Sequence, residues 1–247
     1  MNTLFIGRNR ISLQVTDSTN NYALKHPELP EGSLITADFQ TGGRGQRGKT
    51  WNSQAGKNLL FSIVLKPVFL ENQRQFSLNK AIAWGTWSAL NELFPSIKWA
   101  IKWPNDIYAN NKKLAGILSE AQWYSSHIVS FVAGVGLNLN QEDFGELKPM
   151  PTSLKILLQT EIDAELVLSA ICSHIESAYL MLKARHYDKV DQLFNASLWK
   201  KNEVINFIHQ AQQKSGKVLE TDRHGRLVVL EDTGLKYYQT GDIAWLI

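Results

Sequence analysis

Whatever this chain folds into must carry, between two strands, the run Gly42-Gly43-Arg44-Gly45-Gln46-Arg47-Gly48-Lys49, with four glycines and three cations in eight residues. Ser33 to Phe39 reads as the strand before it, and Asn58 to Leu65, stopped by Pro67, as the strand after it. Glycine lets successive backbone N–H groups converge into a concave, partly positive nest, and Arg44, Arg47 and Lys49 add mobile charge around the same point. Such a loop suits phosphate. The same composition also describes an arginine-glycine segment that touches RNA, or a plain surface loop. Trp51 and the strand after it pin the run at both ends, which is the arrangement of a lid more than of a tail.

At 247 residues the chain is long enough for one large domain with a core plus a small appendage. A hydrophobic fraction of 44% and a charged fraction of 20% belong to an ordinary globular composition. The longest apolar runs fall below the roughly 20 residues that cross a bilayer. No export signal is read at the N-terminus, so the expected place of work is the cytoplasm, away from membranes. Cys172 is the lone cysteine, which excludes an internal disulfide and a multi-cysteine zinc site, and its apolar helical setting predicts a core residue. The six histidines form no metal-ligand spacing. A net charge of +3 is too small for a dedicated nucleic-acid binder.

Apolar residues at Ala83, Trp87, Leu90 and Phe94 predict a helix from Ser77 to Phe94. Strands follow at Lys98 to Lys102, Ile107 to Tyr108, Lys113 to Trp123 and Ile128 to Leu139, with Asn110-Asn111 as a hairpin turn. Val167, Ile171, Ile175, Tyr179 and Leu182 form one stripe of a helix from Ala164 to Lys183, N-capped by Asp163, and a shorter helix is predicted from Tyr187 to Leu198. Beyond Lys200 short β segments alternate with polar turns, which predicts a small barrel of roughly 45 residues that leans on the main domain. The expected division is residues 1–200 and 201–247.

Three further motifs follow the loop's logic. Asp17-Ser18-Thr19-Asn20-Asn21 precedes a short helical segment, and reads either as a helix cap or as hydroxyls and amides that hydrogen-bond a neutral polar ligand. In Lys102-Trp103-Pro104-Asn105-Asp106, Pro104 drives Trp103 towards extended geometry; a tight turn explains Pro-Asn-Asp but not the Lys-Trp before it. Gly116, in Lys113-Leu114-Ala115-Gly116-Ile117-Leu118-Ser119-Glu120, and Gly134 and Gly136, in Ala133-Gly134-Val135-Gly136-Leu137-Asn138, mark bulges or tight packing, or else a slot where a flat ligand lies on bare backbone.

Taken in this order, the motifs resemble the biotin protein ligase family, the biotin-[acetyl-CoA-carboxylase] ligases, over nearly the whole chain. The resemblance implies an α+β fold, a mixed sheet flanked by helices of the class II synthetase-like kind, followed by a small β-barrel. It implies joining of biotin to ATP as biotinyl-5′-AMP with release of pyrophosphate, then transfer to a lysine of a biotin carboxyl carrier protein. By motif, Ser18, Thr19, Asn20 and Gln40 would meet the biotin head, and Arg44, Gly45 and Gln46 would enclose biotin and its activated carboxyl. Arg47 would face phosphate, Lys113 would sit by the carboxyl and α-phosphate, and Gly116, Gly134 and Gly136 would floor the slot. Trp51 and Asn138 would border adenine, with Lys102, Asn105 and Asp106 in the nucleotide and Mg2+ region. Arg44, Lys113 and Arg47 are the expected catalytic residues.

One departure is visible. The most familiar family loop reads Gly-Arg-Gly-Arg-Arg-Gly, whereas this chain has Gln46 for the second arginine, which removes one charged fork near the adenylate. Some family members carry an N-terminal winged-helix domain that represses biotin genes. Only seventeen residues precede Ser18 here, so a ligase without operator binding is expected, as a monomer or weak homodimer. Two rival readings are a lipoate or octanoate ligase of related fold, which takes an apolar acyl chain, and a non-catalytic RNA-binding module that uses the loop and the eight tryptophans.

Overall fold

The computed structural model describes residues 2–125, 127–147 and 149–246. In chain order the elements are β1 (Arg10–Thr16), α1 (Thr19–Lys25), β2 (Leu34–Gln40), β3 (Asn58–Leu65), α2 (Gln75–Leu93), β4 (Trp99–Lys102), β5 (Asp106–Ala109), β6 (Lys112–Tyr124), β7 (His127–Asn138), α3 (Leu154–Leu158), α4 (Ala164–Lys183), α5 (Tyr187–Ala196), β8 (Val204–His209), β9 (Gln212–Thr221), β10 (Leu227–Glu231), β11 (Gly234–Tyr238) and β12 (Ile243–Leu246).

Seven strands form one sheet in the order β1-β2-β3-β7-β6-β5-β4. Among the described residues only β1 and β2 pair in parallel; the other neighbours in this sheet are antiparallel, so the sheet is mixed as expected. Its central strand β3 is buried along its whole length, because both of its faces are covered, each by a different partner. On one face Leu59, Phe61, Ile63 and Leu65 of β3 and Phe131, Ala133, Val135 and Leu137 of β7 join the main core with α2 and α4. On the other, Val64 and Val132 pack with Ala23 of α1 in a smaller cluster. Helix α1 has only seven residues, so it covers one end of that second face and leaves the glycine-bearing end to a loop.

Helix α4 is 20 residues long and apolar enough to cross a bilayer, but Val167, Leu168, Ile171, Ile175 and Tyr179 are buried in the main core. Its cap follows the expected chemistry, with the Asp163 carboxylate accepting from Glu165 N at 2.8 Å. Cys172 lies on the buried stripe, and burial pushes its thiol up to about 12. Asn110 and Asn111 turn the β5–β6 hairpin at φ of 48° and 63°, the left-handed pair that a two-residue turn demands.

The C-terminal β segments form a five-stranded antiparallel sheet in the order β11-β10-β9-β8-β12. The small β unit is therefore present, as a sheet whose edge strands β11 and β12 are not paired with each other among the described residues. It is tied to the larger sheet by buried polar groups. Trp103 Nε1 donates to Gly225 O at 2.9 Å, and Asn195 of α5 brackets Thr221, accepting from its N–H at 2.8 Å and donating to its carbonyl at 3.1 Å. Lys80, buried in α2 with no exposed side-chain surface, donates to Asp191 of α5 at 2.6 Å and to Asp222 O at 3.0 Å.

An ammonium this deep holds its proton only through those partners; burial lowers its pKa while Asp191 raises it. Asp191→Ala should therefore destabilise the protein by about 3–5 kcal/mol in urea unfolding, the range for stranding one member of a buried pair. A loss below about 1 kcal/mol, the value of a surface pair, would show that Lys80 finds water instead.

Candidate active site

Five strands set a row of residues side by side across the open face. Leu60 of β3 is in register with Gly136 of β7, which faces Gly116 of β6, which faces Asp106 of β5, which faces Lys102 of β4. One step along, Ser62, Gly134 and Leu118 form the next row. The glycines leave bare backbone where side chains would otherwise stand. The Trp51 indole lies on it: a side-chain carbon at Gly136 would come within 2.5 Å of the ring, and one at Gly116 within 3.2 Å. This floor thus accepts a flat group.

At one end of the floor is a neutral polar pocket built around the start of α1. Ser18 has N-cap geometry without its side chain capping, and is buried with Thr19 and Asn20. Gln40, at the end of β2, supplies the missing acceptor, its Oε1 taking Thr19 N at 2.7 Å. Asp17 braces the turn from outside; its carboxyl is held down at about 2, chiefly by the Asn21 amide. Ser62 Oγ donates to Asn20 Oδ1 at 2.6 Å and lies 2.7 Å from Thr19 Oγ1. Asn20 Nδ2 donates to Leu118 O at 3.0 Å and to Glu120 at 2.8 Å. Gly134 is required here, because any side-chain carbon would overlap the Asn20 amide.

The other end is cationic. Lys113 Nζ pairs with Asp106 at 2.7 Å and lies 5.8 Å from the Trp51 ring centroid. Asn105 Nδ2 donates to Ile117 O at 2.6 Å, which fixes the turn that follows the cis Trp103–Pro104 peptide. Lys102 Nζ sits between the rings of Tyr108, Trp199 and Trp245, at 5.2, 5.8 and 5.6 Å from their centroids. Burial lowers its pKa to about 8, aided by the cations of Lys113 and Lys49 and opposed by Asp106.

The glycine run folds over this face as a tight loop. Trp51 N donates to Gly43 O at 2.9 Å and Gly45 N to Lys49 O at 2.6 Å, with a single 3-10 turn at Gln46–Gly48. Arg44 pairs with Glu120 at 2.7 Å, so the loop is joined to the pocket through the same carboxylate that holds Asn20. Arg47, at φ of 56°, points away and donates to Gly241 O in the small sheet. Gln46 lines a cavity of about 360 Å3 with Asn105 and Ser119. Asn138 is buried and spends its amide on Thr152 O at 3.0 Å.

The fold therefore brings together Ser18, Thr19, Asn20, Gln40, Arg44, Trp51, Lys102, Asn105, Asp106, Lys113 and the three slot glycines, while Arg47 and Asn138 have partners elsewhere. Sequence reasoning missed Ser62 and Glu120. Ser62 had a signal, as the one hydroxyl inside an otherwise apolar stretch of β3. Glu120 had none beyond ending its motif.

A neutral polar pocket, a flat floor and a cationic end under a loop suit a ligand with a polar head and an anionic tail. The model of the biotin/lipoate A/B protein ligase family matches residues 12–138. The bifunctional ligase/repressor BirA of Bacillus subtilis is 32% identical over 249 residues, covering 98% of this chain and 76% of that protein. The chain belongs to this ligase family. Another relative within it, the biotin-[acetyl-CoA-carboxylase] ligase of Paracoccus denitrificans, is 38% identical over 141 residues, 56% of this chain and 58% of that one. Among solved structures, the biotin protein ligase of Aquifex aeolicus in complex with biotin and ATP matches with a TM-score of 0.81 and 26% identity, covering 96% of this chain and 98% of that one.

The polar pocket of this family member depends on the bare backbone at Gly134. Gly134→Ala should lower the thermal stability, by about 1–3 kcal/mol for an overpacked site, and calorimetry that finds the melting temperature unchanged would show that Asn20 can move aside.

Proposed function

We propose that this chain is a biotin protein ligase: it activates biotin with ATP to biotinyl-5′-AMP and passes the biotinyl group to a lysine of a biotin carboxyl carrier protein. The observation that carries this is the pairing of a neutral, hydroxyl- and amide-lined pocket with a cationic end across a floor of bare backbone. A ureido head needs donors and acceptors, which Ser18, Thr19, Asn20, Gln40 and Ser62 offer. An apolar lipoate tail would displace water from these groups without offering them a hydrogen bond in return, which disfavours that reading. The loop is folded against both sheets, unlike a flexible segment that wraps RNA.

In the first step a carboxylate meets an anionic α-phosphate, and charge grows on the departing pyrophosphate. Arg44 and Lys113 would offset that charge, with Asp106 holding Lys113 in place and Lys102 steering the phosphates. Gly116, Gly134 and Gly136 would floor biotin, Gly45 and Gln46 would close over it, and Trp51 would border the adenine. Among the described residues no three His, Cys, Asp or Glu cluster to hold a metal ion. Mg2+ would enter with ATP, where Asn105 and Asp106 are the protein groups that would hold it, and its charge would offset that of the triphosphate. In the second step the carrier amine attacks the acyl carbon, the acyl–phosphate C–O bond breaks and AMP leaves. The protein's work is orientation and exclusion of water, and it needs no covalent nucleophile. Residues 1–200 would form the catalytic unit and 201–247 the small β unit that braces it.

Arg44→Ala should reduce biotin-dependent exchange of pyrophosphate into ATP by about 100-fold or more, the effect of deleting one charge-stabilising donor; near-normal exchange would remove Arg44 from the mechanism. Lys102 is charged below and neutral above about pH 8, so its attraction for phosphate fades as pH rises. kcat/KM for ATP should fall through that pH, and Lys102→Arg, which keeps its charge, should flatten the profile. An unchanged inflection in the variant would assign it to another group.

A further inference from the structure

Two arginines of the glycine loop, three residues apart, are fastened to different sheets. Arg44 is held by Glu120 of the large sheet at 2.7 Å, and Arg47 Nη1 donates to Gly241 O at 2.9 Å, in the turn between β11 and β12 of the small one. The second anchor is shaped to its guest. Gly241 has φ of 89°, and a side-chain carbon there would overlap the Arg47 guanidinium, which lies directly on the glycine. Arg47 itself takes a left-handed backbone inside the 3-10 turn, at φ of 56°, and so aims its side chain out of the loop. Gln46 and Thr240, the neighbours of the two partners, line one cavity.

We propose that the β11–β12 turn is the catch of the glycine loop, with Arg47 and Gly241 as the positioning pair that keeps water from the acyl-adenylate. This rests on the ligase reading above. A mixed anhydride is lost to water unless the loop stays down between the two half-reactions. Arg44 alone cannot guarantee that, since its carboxylate partner competes with the incoming phosphate for the same guanidinium. Arg47 is fastened to a neutral carbonyl outside the floor, so its hold does not depend on what occupies the slot. Lys102 is caged by Trp245 of the same sheet, which extends the support from the loop to the cationic end.

The test measures AMP released without carrier protein, relative to the rate of adenylate formation, in enzyme given biotin and ATP. Gly241→Ala should raise this leak about tenfold, the size of one charge-assisted hydrogen bond. The control is Gly234→Ala: Gly234 also has a positive φ, 102°, but nothing lies within 4 Å of its added carbon, so it carries the backbone strain without touching Arg47. It should leak like the wild type. Arg47→Met should leak as Gly241→Ala does, and the double variant no more than either single one. An unchanged leak in Gly241→Ala, an equal rise in Gly234→Ala, or effects that multiply in the double variant would each overturn the catch. If Arg47 instead serves phosphate, Arg47→Met will slow pyrophosphate exchange without raising the leak, which also overturns it. Wild-type enzyme that forms no adenylate at all would sink the ligase reading separately. Tryptic cleavage within the loop then decides the catch by itself: fast in Gly241→Ala and Arg47→Met and slow in wild type if it exists, equal in all three if it does not.

Discussion

Bare backbone in the middle of a buried sheet is the constraint from which the rest of this structure follows. A strand residue without a side chain weakens the strand and leaves a gap that something must fill. At Gly136 and Gly116 the filler is the Trp51 ring, and at Gly134 it is the Asn20 amide. The large sheet can carry these gaps because its opposite face is continuous core, where Phe61, Phe131 and Val135 pack beneath α2 and α4. One face holds the fold together, which frees the other to be concave.

The second principle is that polar groups are satisfied by one another around that concavity. Gln40 does the capping that Ser18 does not, and Glu120 serves the buried Asn20 and the loop Arg44 at once. A single carboxylate thus couples the rigid pocket to the mobile charge of the loop, and Ser62 joins that pocket to the central strand. Networks of this kind are worth more than their separate bonds, and lose more when one member is missing.

Much of this was legible in the residues. The span of β3, the limits and cap of α4 and the Asn110-Asn111 turn follow from local rules that act within a few residues. So did the grouping of the glycines with the loop, because their types are unusual for strands. Less was legible where the decisive partner is distant. β1 is an edge strand with alternating exposure and polar side chains, and α3 is too short for a period. Glu120 meets Arg44 across 76 residues and Arg47 meets Gly241 across 194, separations over which composition carries no signal. The helix predicted to Leu198 stops at Ala196 because the chain there bridges to Ile101 of the large sheet, another long-range contact.

The indole nitrogen of Trp51 is buried and has no hydrogen-bond partner among the described residues. An unsatisfied donor of this kind raises the energy of its conformer by about 1–3 kcal/mol. The ring thus presents to the floor an N–H that no described protein group takes up, and a guest that offers it an acceptor would complete a bond the surrounding side chains leave open.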